Sequence, residues 1–117
     1  DVLAPLREPA EPVELRFPIL EKEFRPYGES VLSGLETYAR RQPGWSVAPD
    51  NCEGVRVSLD GKHGAGWFLL RLSVHDPILP LNVESDKIGG VKQILAQLSP
   101  YLTGCRGLDL SSFKKKL

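Results

Sequence analysis

The stretch GWFLLRLSVHDPILPLNVE, residues 66–84, decides the fold, because two apolar runs flank a short polar turn. Successive side chains of a strand point to opposite faces of its sheet. The alternation therefore predicts a strand with two different faces: one holds Phe68, Leu70, Leu72 and Val74, and the other holds Trp67, Leu69, Arg71, Ser73 and His75.

The second face of this strand ends in a cation, a hydroxyl and an imidazole beside the mouth of the turn. A guanidinium offers paired donors to phosphate oxygens, and serine and histidine add further donors. Arg71, Ser73 and His75 are therefore the candidate site for a phosphate group. A structural interpretation stays open, in which a surface arginine lies beside a hydrogen-bonded serine and a turn histidine.

Together with EGVRV at residues 53–57, this stretch resembles the C-terminal domain of the α-D-phosphohexomutases. These are the phosphoglucomutases, phosphomannomutases and phosphoglucosamine mutases, whose last domain typically reads D/E-G-V-R-V and then G-W-G-L-x-R-x-S-N-T-x-P-x-L-x-x-x-x-E. The matching residues are Glu53 to Val57, Gly66, Trp67, Leu69, Arg71, Ser73, Pro77, Leu79 and Glu84. The likeness runs roughly from Glu11 to Tyr101, and the wording FLLRLS and HDP is closest to a plant and algal branch.

The resemblance implies a domain that binds the non-transferring phosphate of a hexose phosphate. Arg71 would be the bidentate anchor and Ser73 a hydroxyl donor. The next two family positions are usually Asn and Thr, whereas this chain has Val74 and His75. Val74 offers no side-chain donor, so backbone N–H groups of the turn would have to compensate. His75 either replaces the threonine as a donor, best when protonated, or only caps the turn beside Asp76.

The sequence lacks the family's motifs for catalysis. It contains no T-x-S-H-N-P-like nucleophile loop, no D-G-D-x-D-R metal loop and no G-E-x-S-G sugar loop. Phosphoryl transfer needs positioning together with neutralisation of charge by a metal or by cations, and only a positioning element remains. We therefore expect no catalytic residue and no cofactor in this chain, and Mg²⁺ is implied for a full-length parent enzyme.

Composition sets the class of protein. The 117 residues, 41% hydrophobic and 26% charged, suit one soluble domain. Fifteen basic residues balance fifteen acidic ones, so no overall field attracts nucleic acid or an anionic membrane. No apolar run approaches the ~20 residues of a membrane helix, and no signal peptide is recognisable. We expect a soluble intracellular protein of the cytosol or plastid.

The first residue and the cysteines add two smaller expectations. Because the chain opens on Asp1 rather than Met, it is expected to be a processed product or a fragment of something longer. Cys52 and Cys105 show no ligand-like spacing with His63 or His75, which favours two reduced thiols and no metal site.

The remaining pattern predicts the order of the elements. Residues 1–12 are proline-rich and suit a linker, and alternation then predicts strands around Val13–Phe17, Val55–Leu59 and Ile78–Val83. Helical spacing predicts one helix from Val31 to Ala39, ended by the QPG at 42–44, and a second that ends near Ser99. The second helix would be capped by Ser85 or Asp86 and bury Ile88, Val91, Leu95 and Leu98. Residues 102–117 are expected to form a loosely ordered tail.

These elements give an α+β domain over residues 13–101, with the order β-α-β-β-β-α. It has a four-stranded, mainly antiparallel sheet and two helices on one face. The family's last domain resembles the TATA-binding-protein fold, and the two inferences agree. Nucleic-acid binding, which that name suggests, is excluded by the charge balance and the absence of a basic stripe.

The sheet face away from the helices is the second candidate surface. Trp67 and Leu69 share this face, and an exposed apolar stripe usually marks a contact. We expect another domain of the parent protein, the N-terminal segment or a protein partner to cover it. The rival functional hypothesis is therefore a non-catalytic interaction module that keeps the fold.

Overall fold

A computed structural model describes residues 12–49 and 54–117. Nearly all of the predicted linker, together with Cys52 and Glu53, lies outside the described residues. The elements are β1 (Val13–Pro18), α1 (Phe24–Arg40), β2 (Trp45–Val47), β3 (Gly54–Leu59), β4 (Gly66–Arg71), β5 (Ile78–Ser85), α2 (Gly90–Leu102) and α3 (Ser111–Lys116).

The strands form one antiparallel sheet in the order β1-β5-β4-β3-β2. This confirms the α+β class and the antiparallel pairing, but the predicted number of four strands is wrong. The fifth strand, β2, pairs Trp45 to Val47 with Leu59 to Val57 of β3. Three residues give a single alternation, which is too short a signal to separate a strand from the turn-rich segment around it.

Burial follows the predicted alternation. Phe68 and Leu70 are fully buried on the helix-bearing face, whereas Trp67, Leu69 and Arg71 are only partly covered on the other. Leu72 is partly buried, and the residues of the common core include Phe17, Leu35, Val55, Val57, Leu70, Leu81 and Leu95. The register places Val55, Leu70 and Leu81 in one row across three strands, which explains why they share the core.

Helix α2 begins and ends later than the sequence predicts. It starts at Gly90, after Gly89 in a left-handed conformation (φ 79°), and Ile88 is 86% exposed. Ser85 does not cap it, because this residue extends β5 opposite Gly66 and its buried hydroxyl donates to the Gly64 carbonyl. Pro100 lies within the last turn and the helix continues to Leu102. A proline so near the end removes only one late hydrogen bond.

The segment after α2 differs from the predicted loose tail. Leu108, Leu110 and Phe113 are buried, and Phe113 packs edge-on against Phe17 with ring centroids 6.0 Å apart. The Asp109 amide donates to the Pro18 carbonyl at 2.9 Å. A third helix, α3, therefore joins α1 and α2 in covering the sheet. Its apolar residues are too few for a periodic signal, and they become a core only beside β1.

Among the described residues, no helix is long and apolar enough to cross a membrane.

Candidate functional site

The predicted phosphate segment is the connection between β4 and β5. Arg71 is the last residue of β4, and a tight turn follows before β5 begins at Ile78. The Ser73 amide donates to the Ile78 carbonyl at 3.0 Å, and the Ile78 amide donates to the Asp76 carbonyl at 2.7 Å. The Ser73 hydroxyl accepts the Asp76 amide at 3.4 Å. Ser73 is therefore part of the turn's own hydrogen bonding.

Arg71 lies on the sheet face away from the helices, directly opposite Gly54 of β3. A Cβ at residue 54 would collide with the Leu70 carbonyl oxygen and come within 2.7 Å of the Arg71 Cβ. Glycine at this position thus leaves space for Arg71. Within the described part of the chain, its guanidinium forms no hydrogen bond or ion pair, so its donors remain available to a ligand.

A cleft of about 500 Å³ opens between α1 and the ends of β3 and β4. Although its Cβ lies on the other face of the sheet, Arg71 stands at the end of β4 and lines this cleft together with Arg25 and Glu29 of α1. Glu36 also lines it, but its carboxylate is held by Arg40 at 2.7 Å. Two guanidiniums and two carboxylates therefore border the same cleft, and apolar side chains from Leu32, Val55, Leu72 and Val74 line the rest of it.

The three predicted residues are close in sequence, but the structure does not place them all in this cleft. Arg71 lines it with Val74, whereas Ser73 and His75 do not. Val74 and His75 are exposed, and neither of their amide N–H groups has an acceptor among the described residues. Successive unpaired amides in a turn can form an anion-binding nest. The turn therefore offers two backbone donors beside Val74, whose side chain has no donor.

Sequence reasoning missed Arg25. Its Nη2 donates to the Val74 carbonyl at 2.8 Å, although the two residues are 49 positions apart. The guanidinium carbon also lies 5.8 Å from the centroid of the Phe24 ring. No local spacing signals a contact over that separation, because it depends on where α1 crosses the sheet.

The open face of the sheet carries the predicted aromatic residue. The Arg56 guanidinium stacks over the Trp67 ring with 4.3 Å between the guanidinium carbon and the centroid. Leu69 lies opposite Arg56 on the neighbouring strand. A cation stacked on an indole beside an aliphatic side chain gives a half-buried, amphipathic surface. Binding of a partner to this surface stays a prediction.

A second polar cluster lies at the opposite end of the sheet, in the loop between β3 and β4. The His63 Nδ1 lies 2.6 Å from Oδ1 of Asp60, and the Lys62 and His63 amides donate to the same oxygen. The hydrogen bond from His63 lowers the pKa of Asp60 below its usual value. These contacts order the glycine-rich hairpin. Within the described residues, no group of three His, Cys, Asp or Glu side chains is arranged to hold a metal ion.

A comparison with solved structures agrees with this architecture. No protein-family model and no curated protein sequence matches the chain significantly. A solved structure of a phosphoglucomutase/phosphomannomutase family protein from Burkholderia thailandensis is similar, with a TM-score of 0.59 and 16% identity. The match covers 83% of this chain. It covers 18% of the other chain, so this chain spans a small part of that protein's length.

The shared feature is the fold. At 16% identity the comparison supports the resemblance found in the sequence at the level of backbone architecture. The α+β domain described here thus also occurs as a portion of a phosphoglucomutase/phosphomannomutase family protein.

Proposed function

We propose that this chain is the C-terminal, substrate-phosphate-binding domain of a phosphohexomutase-like enzyme. Such an enzyme moves a phosphoryl group between positions of one hexose phosphate. The observation that carries the proposal is Arg71, which ends β4 with its donors available, in a fold shared with a phosphoglucomutase/phosphomannomutase family protein.

Each group of the turn has a role in this proposal. Arg71 supplies two parallel N–H donors to the phosphate oxygens, which is the strongest and most directional contact available. The Ser73 oxygen accepts the Asp76 amide, so its own O–H hydrogen is left to donate to the phosphate. The unpaired amides of Val74 and His75 add backbone donors. The Asp76 carboxylate lies in the same turn and opposes an anion, so binding to the isolated chain should be weak.

The chain would not catalyse the reaction alone. The nucleophilic serine, the Mg²⁺ site and the sugar-specific loop would belong to other parts of the parent enzyme. In this proposal the domain holds the phosphate that is not transferred, and so fixes the distance between the reacting phosphoryl group and the catalytic residues. The enzyme would belong to a plant or algal branch of the family and work in the cytosol or plastid.

Arg71→Ala should weaken phosphate binding by about tenfold or more, because it removes a charge-assisted bidentate contact. The measurement is an NMR titration of the labelled chain with inorganic phosphate and with glucose 6-phosphate. In the wild type, the amides of residues 71–77 should shift first. Arg16→Ala is the matched control, because it removes an exposed cation from the same sheet face. Shifts confined to other residues, or equal losses in both variants, would exclude this site.

His75→Thr should reduce the pH dependence of phosphate binding. If a positively charged imidazole donates to the phosphate, wild-type binding should weaken toward high pH once the titration of phosphate itself is allowed for. Threonine donates at every pH, so its binding curve should follow only the titration of phosphate itself. Phosphate dissociation constants measured across the neutral range in both proteins check this. Identical pH profiles of the two proteins would show that His75 does not donate to the phosphate and has only a structural role in the turn.

The open sheet face favours a second candidate function, a non-catalytic module that binds a protein partner or another domain of its parent. The supporting observation is the stacked pair of Arg56 and Trp67 beside Leu69. The two functions predict different footprints. Addition of the parent's other domains should perturb residues 67–69 in the module, whereas phosphate should perturb residues 71–77 in the phosphate-binding domain.

A further inference from the structure

Two positions on α1 hold the start of the turn that follows β4. Arg25 donates from Nη2 to the Val74 carbonyl at 2.8 Å. Gly28 leaves space for Leu72, since a Cβ on residue 28 would lie 2.7 Å from the Leu72 Cδ1. Residues three apart lie on one helix face. The N-terminal part of α1 therefore contacts two alternate residues after β4: Leu72 by packing and Val74 through its backbone carbonyl.

The contact with Val74 also sets the direction of an amide. The peptide bonds of the described residues are trans, and a trans peptide is planar with its C=O and N–H pointing in opposite directions. Because Arg25 binds the Val74 carbonyl, the N–H of His75 in the same peptide unit points away from Arg25. This N–H is one of the two amides without an acceptor in the described part of the chain.

Helix stability does not explain an arginine at this position. The N-terminal turn of a helix carries partial positive charge, so a cation there is unfavourable. Arg25 lies in the first turn of α1, which contains no acidic residue itself, while Glu23 is the N-cap and Glu29 lies one turn further on. The Phe24 ring on one side and the Val74 carbonyl on the other orient its guanidinium. These two contacts give Arg25 a structural role beside the turn.

We propose that Arg25 is a positioning residue that orients the His75 amide toward a bound phosphate. This inference rests on the proposed function for its ligand, whereas the orientation of the turn is a property of the free protein. Arg25 acts on the ligand through the turn, because the N–H that it aligns points in the opposite direction to the carbonyl that it binds, within the same peptide plane. The aligned amide adds a donor beside those of Arg71 and Ser73.

The test compares Arg25→Met with Arg41→Met in the ¹⁵N-labelled full chain. Each substitution removes one cation, but Arg41 is exposed at the C-cap, just beyond the other end of α1. The first readout is the backbone order parameter of residues 74–76 in the free protein. Arg25→Met should lower it from about 0.85 toward 0.6, while Arg41→Met leaves it unchanged. The second readout is inorganic phosphate affinity, which should fall about tenfold in Arg25→Met and less than about twofold in the control.

Arg25→Lys completes the comparison and serves if the methionine variant does not fold. Lysine keeps the positive charge but lacks the planar guanidinium with its paired N–H donors. Compared with Arg25→Met, this variant should therefore recover part of the phosphate affinity and part of the order of residues 74–76. The proposal would be overturned if the order parameters of residues 74–76 were the same in Arg25→Met and Arg41→Met. Equal phosphate affinities in these two variants would also overturn it. If the wild type binds no phosphate and the turn still loosens in Arg25→Met, the proposed function fails while the orientation of the turn by Arg25 stands.

Discussion

Phe113→Ala should lower the free energy of unfolding by about 3–5 kcal/mol, the range expected when a fully buried phenylalanine is truncated. The ring packs edge-on against Phe17 of β1, so its removal leaves a cavity under the edge strand of the sheet. Urea titration followed by circular dichroism measures the loss. Lys115→Ala, on the exposed side of the same helix, should change stability by less than about 0.5 kcal/mol. A small loss in both variants would mean that α3 does not belong to the core.

Phe68→Ala should cost about 3–5 kcal/mol as well, for a different reason. Phe68 lies in the central strand β4, is fully buried and meets the edge of Trp45 with centroids 5.4 Å apart. Leu69 is its neighbour on the opposite, partly exposed face, so Leu69→Ala should cost much less, about 1 kcal/mol. Denaturant titrations of the two variants test the face assignment directly. Equal losses would show that both faces of β4 are buried.

The central hairpins could be predicted because one face of each strand is buried and the other is not. Phe68 and Leu70 alternate with Trp67 and Leu69, and a slip by one residue would exchange the two faces. The strand β2 could not be predicted in this way. Its Trp45 is buried through contacts with Tyr38 in the preceding helix and with Phe68 of β4, and these contacts form only when the helix and the sheet pack together.

Two errors share a physical cause, the use of a local signal for a group that has a stronger distant partner. Ser85 has the residue type of a helix cap, but its hydroxyl is bound to the Gly64 carbonyl. Residues 102–117 have the composition of a tail, but Leu108 bridges to Ile19 and Phe113 packs on Phe17. Neither partner can be identified until the sheet is assembled.

The candidate site likewise combines contacts that are local in the sequence with contacts between distant residues. Arg71, Ser73 and His75 belong to one strand and its turn, so their proximity follows from the sequence. The contact between Arg25 and Val74 joins α1 to that turn across 49 residues and was visible only in the structure. The charges that border the cleft, from Arg25 and Glu29, come from the same helix and were missed for the same reason.

The packing of α3 on β1 has a consequence for how the chain folds during synthesis. The Ser112 hydroxyl donates to the Arg16 carbonyl, a contact that joins residues 96 positions apart. Contacts of such long sequence separation slow folding, because the loop between them must close before they form. When a ribosome makes this segment from its N-terminus, β1 emerges early but must wait for β5 and then for Phe113. Until then its apolar side chains stay exposed, which makes the unpaired strand prone to aggregate.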